Sequence, residues 1–254
     1  MDSSLILSQL ISGLTSAMTL FLVASGLTLI FGVVNVFNFA HGSFYLLGAY
    51  FAYQVVSISG VGFWPGVLLS AAGAGVSGAL MEVVFLRRIY GRAGEAGFQI
   101  LLTYSFILIL DDVVKMIWGT DYKSVERPEA LGAPVSFGEI AIPAYDLAVI
   151  AAGLAVAVSM WWVIRKTSFG RNLRAISANR EMASSLGVNV PLTLSLVFGL
   201  ATAMGGLSGA LSAPVRTVTP GAGIEVIIGS LIVVVIGGLG NFWGALVGAL
   251  VIGE

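Results

Sequence analysis

The chain has 254 residues, 57% hydrophobic and only 10% charged, with a formal net charge of -1 and a mean hydropathy of +0.99. A soluble domain of this size carries about a quarter charged residues, so water is not its main solvent, and so neutral a balance speaks against nucleic acid as a partner. The absence of cysteine removes disulfides, thiolate nucleophiles and thiolate metal sites.

Between Asp2 and Glu82 there is no Asp, Glu, Lys or Arg, a stretch far longer than the ~20 apolar residues that cross a bilayer. Apolar runs fall at 5–31, 42–58, 63–86, 97–118, 144–164, 192–213, 224–239 and from 241 onward. They predict one all-α domain over 1–254, a polytopic membrane helical bundle of about eight spans. A β-barrel needs alternating apolar and polar residues, which these continuous Leu, Val, Ala and Gly runs do not show. The first run lacks a basic flank and a small-residue cleavage site, and is expected to be retained as a span.

The first stretch to carry chemistry is Gly26 to Gly42, which joins two apolar runs without a Lys or Arg. Asn35, Asn38 and His41 are spaced i, i+3, i+6, so a helix would set them roughly on one face, while Gly32 and Gly42 interrupt it. One reading is a broken-helix element near residues 32–42 that lines a translocation path with Asn35, Asn38, His41 and Gly42. The other is a tight cytoplasmic turn, with His41, the chain's single histidine, in a structural role. Asn38-Phe39 with Gly42 and Gly48 is faintly echoed by Asn241-Phe242 with Gly244 and Gly248.

Glycine recurs at close spacing further along, at Gly73, Gly75 and Gly78, at Gly205, Gly206 and Gly209, and at Gly244 and Gly248, as expected where helices pack closely in lipid. Basic residues cluster in two connections, Arg87, Arg88 and Arg92 in one and Arg165, Lys166, Arg171, Arg174 and Arg180 in the other, which places both in the cytoplasm. The 119–143 connection, with Asp121, Glu126, Glu129 and Glu139 and three prolines, then faces outward, as does the N-terminus. Asp111 and Lys115 stand i, i+4 near the outer end of one run and are expected to pair. No chain of buried carboxylates for proton relay is apparent.

The 165–190 connection is the longest on the cytoplasmic side. Ser177 or Asn179 suits the N-cap of a short helix through Glu181, Met182, Ala183 and Leu186, and Gly187 suits its C-terminal stop before Pro191. Met182, Ala183 and Leu186 are expected to share a face that docks on another protein. The plainer reading of the arginines is that they fix topology. The sequence has no Gly-x4-Gly-Lys-Ser/Thr loop, nucleophile elbow or His-Glu-x2-His pattern.

Gly26 to Tyr50, with Leu-Ile-Phe-Gly-Val at 29–33 and Asn-Phe-Ala-His-Gly at 38–42, resembles the start of the permeases of branched-chain amino acid ABC importers, the LivH type. Phe169-Gly170-Arg171 and the run Met182 to Val188 resemble that family's cytoplasmic coupling loop, and Leu239 to Gly248 its glycine-rich late helices. The resemblance implies a second homologous permease subunit, two cytoplasmic ATPase subunits, and a periplasmic or lipid-anchored substrate-binding protein. It implies a multi-pass protein of a bacterial-type inner membrane, surrounded by lipid, that is not an enzyme and binds no cofactor. ATP is used by the partner subunits, and the coupling residues are Gly170, Arg171, Arg174, Glu181, Met182, Ala183, Leu186 and Gly187. Family members run some tens of residues further, so a C-terminal truncation is also implied. Permeases for urea and short amides look similar in the same segments, and a stand-alone secondary transporter or channel is the competing class.

Overall fold

The computed structural model describes residues 3–35, 37–90, 95–137 and 140–253; Arg92 and Glu139 lie outside them. The first helix, α1 (Ser3–Val34), is followed by α2 (His41–Ala52), which continues as a π-helical stretch over Tyr53–Ile58, and then by α3 (Phe63–Val84) and α4 (Glu95–Trp118). A small antiparallel hairpin, β1 (Pro134–Phe137) and β2 (Ile140–Pro143), leads into α5 (Ala144–Lys166). Two short helices, α6 (Ser168–Ala178) and α7 (Arg180–Ser185), connect it to α8 (Val190–Ser212), and α9 (Ala222–Gly237) and α10 (Phe242–Gly253) complete the bundle.

Helices that are apolar all round belong in a core or in lipid. Here α1, α2 and α8 are central, and α3, α4, α5 and α9 turn rows of Leu, Ile and Val outward. The glycines at close spacing stand at helix contacts. Gly48 of α2 lies against the backbone of Gly206 on α8, and Gly209 against the Tyr45 carbonyl, so tightly that a Cβ at either position has no room. Gly78 meets Thr202, and Gly244 and Gly248 meet the α9 backbone at Gly237 and Val233. With little hydrophobic drive between helices in lipid, such close backbone approach is the main source of cohesion.

The count of about eight spans is corrected by the structure. Among the described residues four helices, Ile6–Val34, Phe63–Arg88, Ala144–Lys166 and Val190–Ser212, are long and apolar enough to cross a bilayer, and α9 with α10, bent by 118°, makes at most a fifth. The physical reason is local. α2 and its π-helical continuation together cover His41–Ile58 and rise at most ~27 Å at 1.5 Å each, short of the ~30 Å hydrocarbon core. Two apolar runs taken as separate spans are one broken element, turning at Gly238 (φ 91°) and Gly240 (φ 76°). α4 carries Asp111, Asp112 and Lys115 in its last two turns, where Lys115 meets Asp111 at 2.6 Å and Asp112 at 3.2 Å. Both segments of the echo open a 12-residue helix after a break.

The two ends of the bundle are distinct. At one, Arg87 donates to the Pro191 carbonyl (3.2 Å) and Arg180 lies over the Tyr90 ring (5.2 Å), which brings the two basic connections together. At the other, Lys123 and Val218 pair as an antiparallel bridge, and Gly221 N–H donates to Asp111 at 2.5 Å.

Candidate translocation path and coupling surface

The break between α1 and α2 is made by Asn35, whose φ of +56° is the one positive value at a non-glycine residue among those described. Asparagine tolerates this left-handed conformation better than most residues, and it ends the helix. Residue 35 and residues 37–40 form no helix. By His41 the chain has returned alongside α1, because His41 Nε2 lies 3.1 Å from the carbonyl of Val23. Val23 stands 11 residues before Val34, ~16 Å along the axis, within the ~20 Å that six extended residues reach.

His41 is fully buried between Gly26 of α1 and Gly205 of α8. Gly26 in turn lies against the carbonyl of Ala201, the middle of the 23-residue α8. The N-terminus of α2 is thus level with the middle of the neighbouring helices, and every residue from His41 to Tyr50 is buried. Gly42 packs on the carbonyl of Gly223 in α9.

The i, i+3, i+6 face expected for Asn35, Asn38 and His41 is therefore not formed. Asn35 is exposed beside a cavity of about 460 Å³ that Asn179 and Arg180 also line. Asn38 is 2% exposed and His41 is buried, both deep in the bundle. Since a carbonyl only accepts, His41 Nε2 is the donor in the Val23 bond. His41 Nδ1, both side-chain polar atoms of Asn38, and Thr28 Oγ1 are buried without a hydrogen-bond partner in the protein. Each such atom costs about 1–3 kcal/mol, and groups left so in a native fold call for an explanation.

The 165–190 connection contrasts with this. Thr167 caps α6, its Oγ1 accepting from Gly170 N–H at 3.2 Å. Asn179 caps α7 by accepting from Met182 N–H at 2.9 Å, and Asn189 caps α8 by accepting from Leu192 N–H at 3.1 Å. Gly187, at φ +86°, ends α7 with two return bonds, from Gly187 N–H to Ser184 O (3.0 Å) and from Val188 N–H to Ala183 O (3.1 Å), the arrangement of a Schellman motif. The unit is tied to the bundle. Arg174 donates to the Ile164 carbonyl and Ser177 to that of Gly32 (2.7 Å), while Gly170, Leu173 and Ile176 are buried.

Of the expected docking residues, Met182 and Leu186 are 62% and 78% exposed and lie one turn apart, and Arg171 and Glu181 are exposed as well. Ala183, at 2%, is a correction to the shared face: position i+1 from Met182 falls ~100° around the helix, which turns it into the bundle. Gly170 too is internal, packed on the Ile164 carbonyl.

In the sequence Glu82 only ended the uncharged stretch; the structure shows what it builds. Glu82 is fully buried, pairs with Arg87 at 3.1 Å and accepts from Ser195 Oγ at 2.5 Å; Arg87 also reaches Ser195 Oγ (2.5 Å). This clamp joins the end of α3 to the start of α8, and with Arg180 and Glu181 it lines a cavity of about 340 Å³. A lone carboxylate in a long uncharged stretch, five residues before an arginine, was the available signal.

A helical bundle with apolar outer faces, a mid-depth helix break and a capped loop at its basic end defines a multi-pass membrane protein of the permease kind. The chain belongs to the family described as branched-chain amino acid transport system / permease component, whose model matches residues 9–254. It is 26% identical to the high-affinity branched-chain amino acid transport system permease protein BraD of Pseudomonas aeruginosa, over 97% of this chain and 84% of that one. To the permease protein LivH of the corresponding system in Escherichia coli K12 it is 27% identical, covering 97% and 83%. A probable branched-chain amino acid transport permease protein LivH of Methanocaldococcus jannaschii is 27% identical over 92% of this chain and 75% of that one. No solved structure matches the chain.

Proposed function

We propose that this chain is one of two permease subunits of an ATP-binding cassette importer for branched-chain amino acids in a bacterial-type inner membrane. The observation that carries the reading is the 165–190 unit: a capped pair of helices, anchored to α1 and α5, that exposes Met182 and Leu186 at the basic end of the bundle. Two exposed apolar side chains one turn apart on an anchored helix suit a protein contact. In the proposed role α7 seats in a groove of an ATPase subunit, with Arg171 and Glu181 at the rim, and passes that subunit's movement through Arg180–Tyr90 and the Glu82–Arg87–Ser195 clamp to α3 and α8.

This chain binds no nucleotide in that scheme; ATP is bound and hydrolysed by two partner subunits, and a periplasmic or lipid-anchored protein delivers the solute. Asn38, His41 and Gly42 brace or line the path at mid-depth, with Asn35 at its cytoplasmic mouth. Polar groups that find no partner in the protein at that depth are those a passing polar solute or water satisfies.

The test is to express the tagged chain with its gene neighbours, purify it in mild detergent, and assay for co-purifying subunits, ATP hydrolysis, and uptake of labelled leucine or urea after reconstitution. An ATPase and a second permease in the eluate, with ATP-dependent leucine uptake, are expected. A chain that purifies alone and moves solute without ATP overturns the reading, and uptake of urea but not leucine overturns its substrate.

A further inference from the structure

At the end of the bundle opposite the arginine-rich connections, a cavity of about 110 Å³ lies between α2, the end of α8 and the start of α9. Two of its lining residues carry opposite charges, Arg216 and Glu225, and they approach it from different elements. Among the described residues neither side chain takes an ion-pair partner. Its remaining walls mix polar Tyr45, Thr217 and Thr219 with apolar Leu46, Val218 and Val226.

The cavity is held from both sides. Val218 is paired in both directions with Lys123, at 2.9 and 3.0 Å, and Asp111 takes the Gly221 N–H just ahead of α9. The floor is α2, the helix whose other end is His41 at mid-depth. The cavity is thus the outward mouth of the element that carries the proposed path.

We propose that this cavity is a subsite for a free, zwitterionic α-amino acid with an aliphatic side chain. Arg216 takes the carboxylate, Glu225 takes the ammonium, and Leu46, Val218 and Val226 take the side chain. Separated opposite charges select for a molecule that carries both, and an arginine fork suits a carboxylate. The Leu46, Val218 and Val226 side of the wall rewards a branched aliphatic group. The inference rests on the function proposed above and adds a recognition step within the permease, after delivery.

The experiment uses the assembled importer in two assays: binding of labelled leucine to the complex without the delivery protein, and uptake into proteoliposomes with it. Arg216→Gln and Glu225→Gln are each expected to weaken binding and raise the uptake KM about tenfold, the loss of one charge-assisted contact. Arg216→Lys is expected to recover most of it. ATPase assembly and basal hydrolysis, read at the far end, stay unchanged. Leucine competes for the site, whereas leucinamide, lacking the carboxylate, and 4-methylpentanoate, lacking the ammonium, do not.

Binding and uptake within twofold of wild type in both Gln variants overturn the subsite, as does equal competition by either analogue. A loss seen only when the delivery protein is present assigns Arg216 to docking that protein and also overturns it. Those results leave the importer reading standing. A wild-type complex that moves urea and not leucine removes the substrate reading first, and this inference with it.

Discussion

The loop between α5 and α8 and the break between α1 and α2 are both departures from helix, and they are satisfied in opposite ways. In the loop each helix start has its cap, at Thr167, Asn179 and Asn189, and the end of α7 has its glycine. In the break the N-cap position Ala40 has no side-chain bond to give, and Asn38 and His41 keep polar atoms unpaired at full burial. The loop is built by local rules and holds its shape against water. The break is held by glycine contacts from three other helices, and leaves its polar groups available to whatever passes.

The largest effect expected from this contrast is in the packing around the break. Gly209→Val pushes a branched side chain into the Tyr45 carbonyl, which cannot move without α2. A loss above about 4 kcal/mol is expected, seen as failure to elute as a monodisperse peak. Next is the clamp. Glu82→Ala leaves the Arg87 guanidinium beside an emptied pocket, and with Arg87 about one-third exposed a cost near 2 kcal/mol is expected, below the range for a fully buried pair. A double-mutant cycle with Ser195→Ala, read by thermal melting in detergent, measures the coupling.

In the loop, Asn179→Ala and Gly187→Ala should each cost about 1 kcal/mol, one by losing a cap and the other by forcing a Cβ into left-handed backbone. They should lower ATPase coupling more than melting temperature. The smallest change in stability sharpens the comparison most. Asn38→Leu removes two unsatisfied atoms, and is expected to be neutral or stabilising by up to about 1 kcal/mol while uptake falls. If Asn38→Leu destabilises strongly and transport of the surviving protein is normal, the polar groups of the break are structural and not part of the path.

What was legible in the sequence follows the same division. Asn179 as cap, Gly187 as stop and the Asp111–Lys115 pair were readable because each depends on residues within one or two turns. The two arginine-rich connections do meet at one end of the bundle, and the close-spaced glycines marked true helix contacts. The return of the chain to His41 was not readable, because it is set by His41 reaching Val23 and by backbone approach at Gly42, Gly48 and Gly209, contacts between residues far apart in sequence. The span count failed for a related reason: hydropathy reports apolar surroundings, and α2, α9 and α10 are as apolar as spanning helices though each is too short to cross alone. Ala183 went to the wrong face because four apolar or small residues in a row fit two faces of so short a helix.

The central claim is that α7 is where an ATPase subunit engages. The chain has no cysteine, so a single Leu186→Cys gives an unambiguous probe, expected to leave stability within about 0.5 kcal/mol because the side chain is exposed. Cross-linking Leu186→Cys in membranes of cells that express the whole gene neighbourhood should yield one adduct with an ATP-hydrolysing subunit and stop ATP-dependent uptake. A Leu186→Cys chain that forms no such adduct, yet transports at the wild-type rate, contradicts the account.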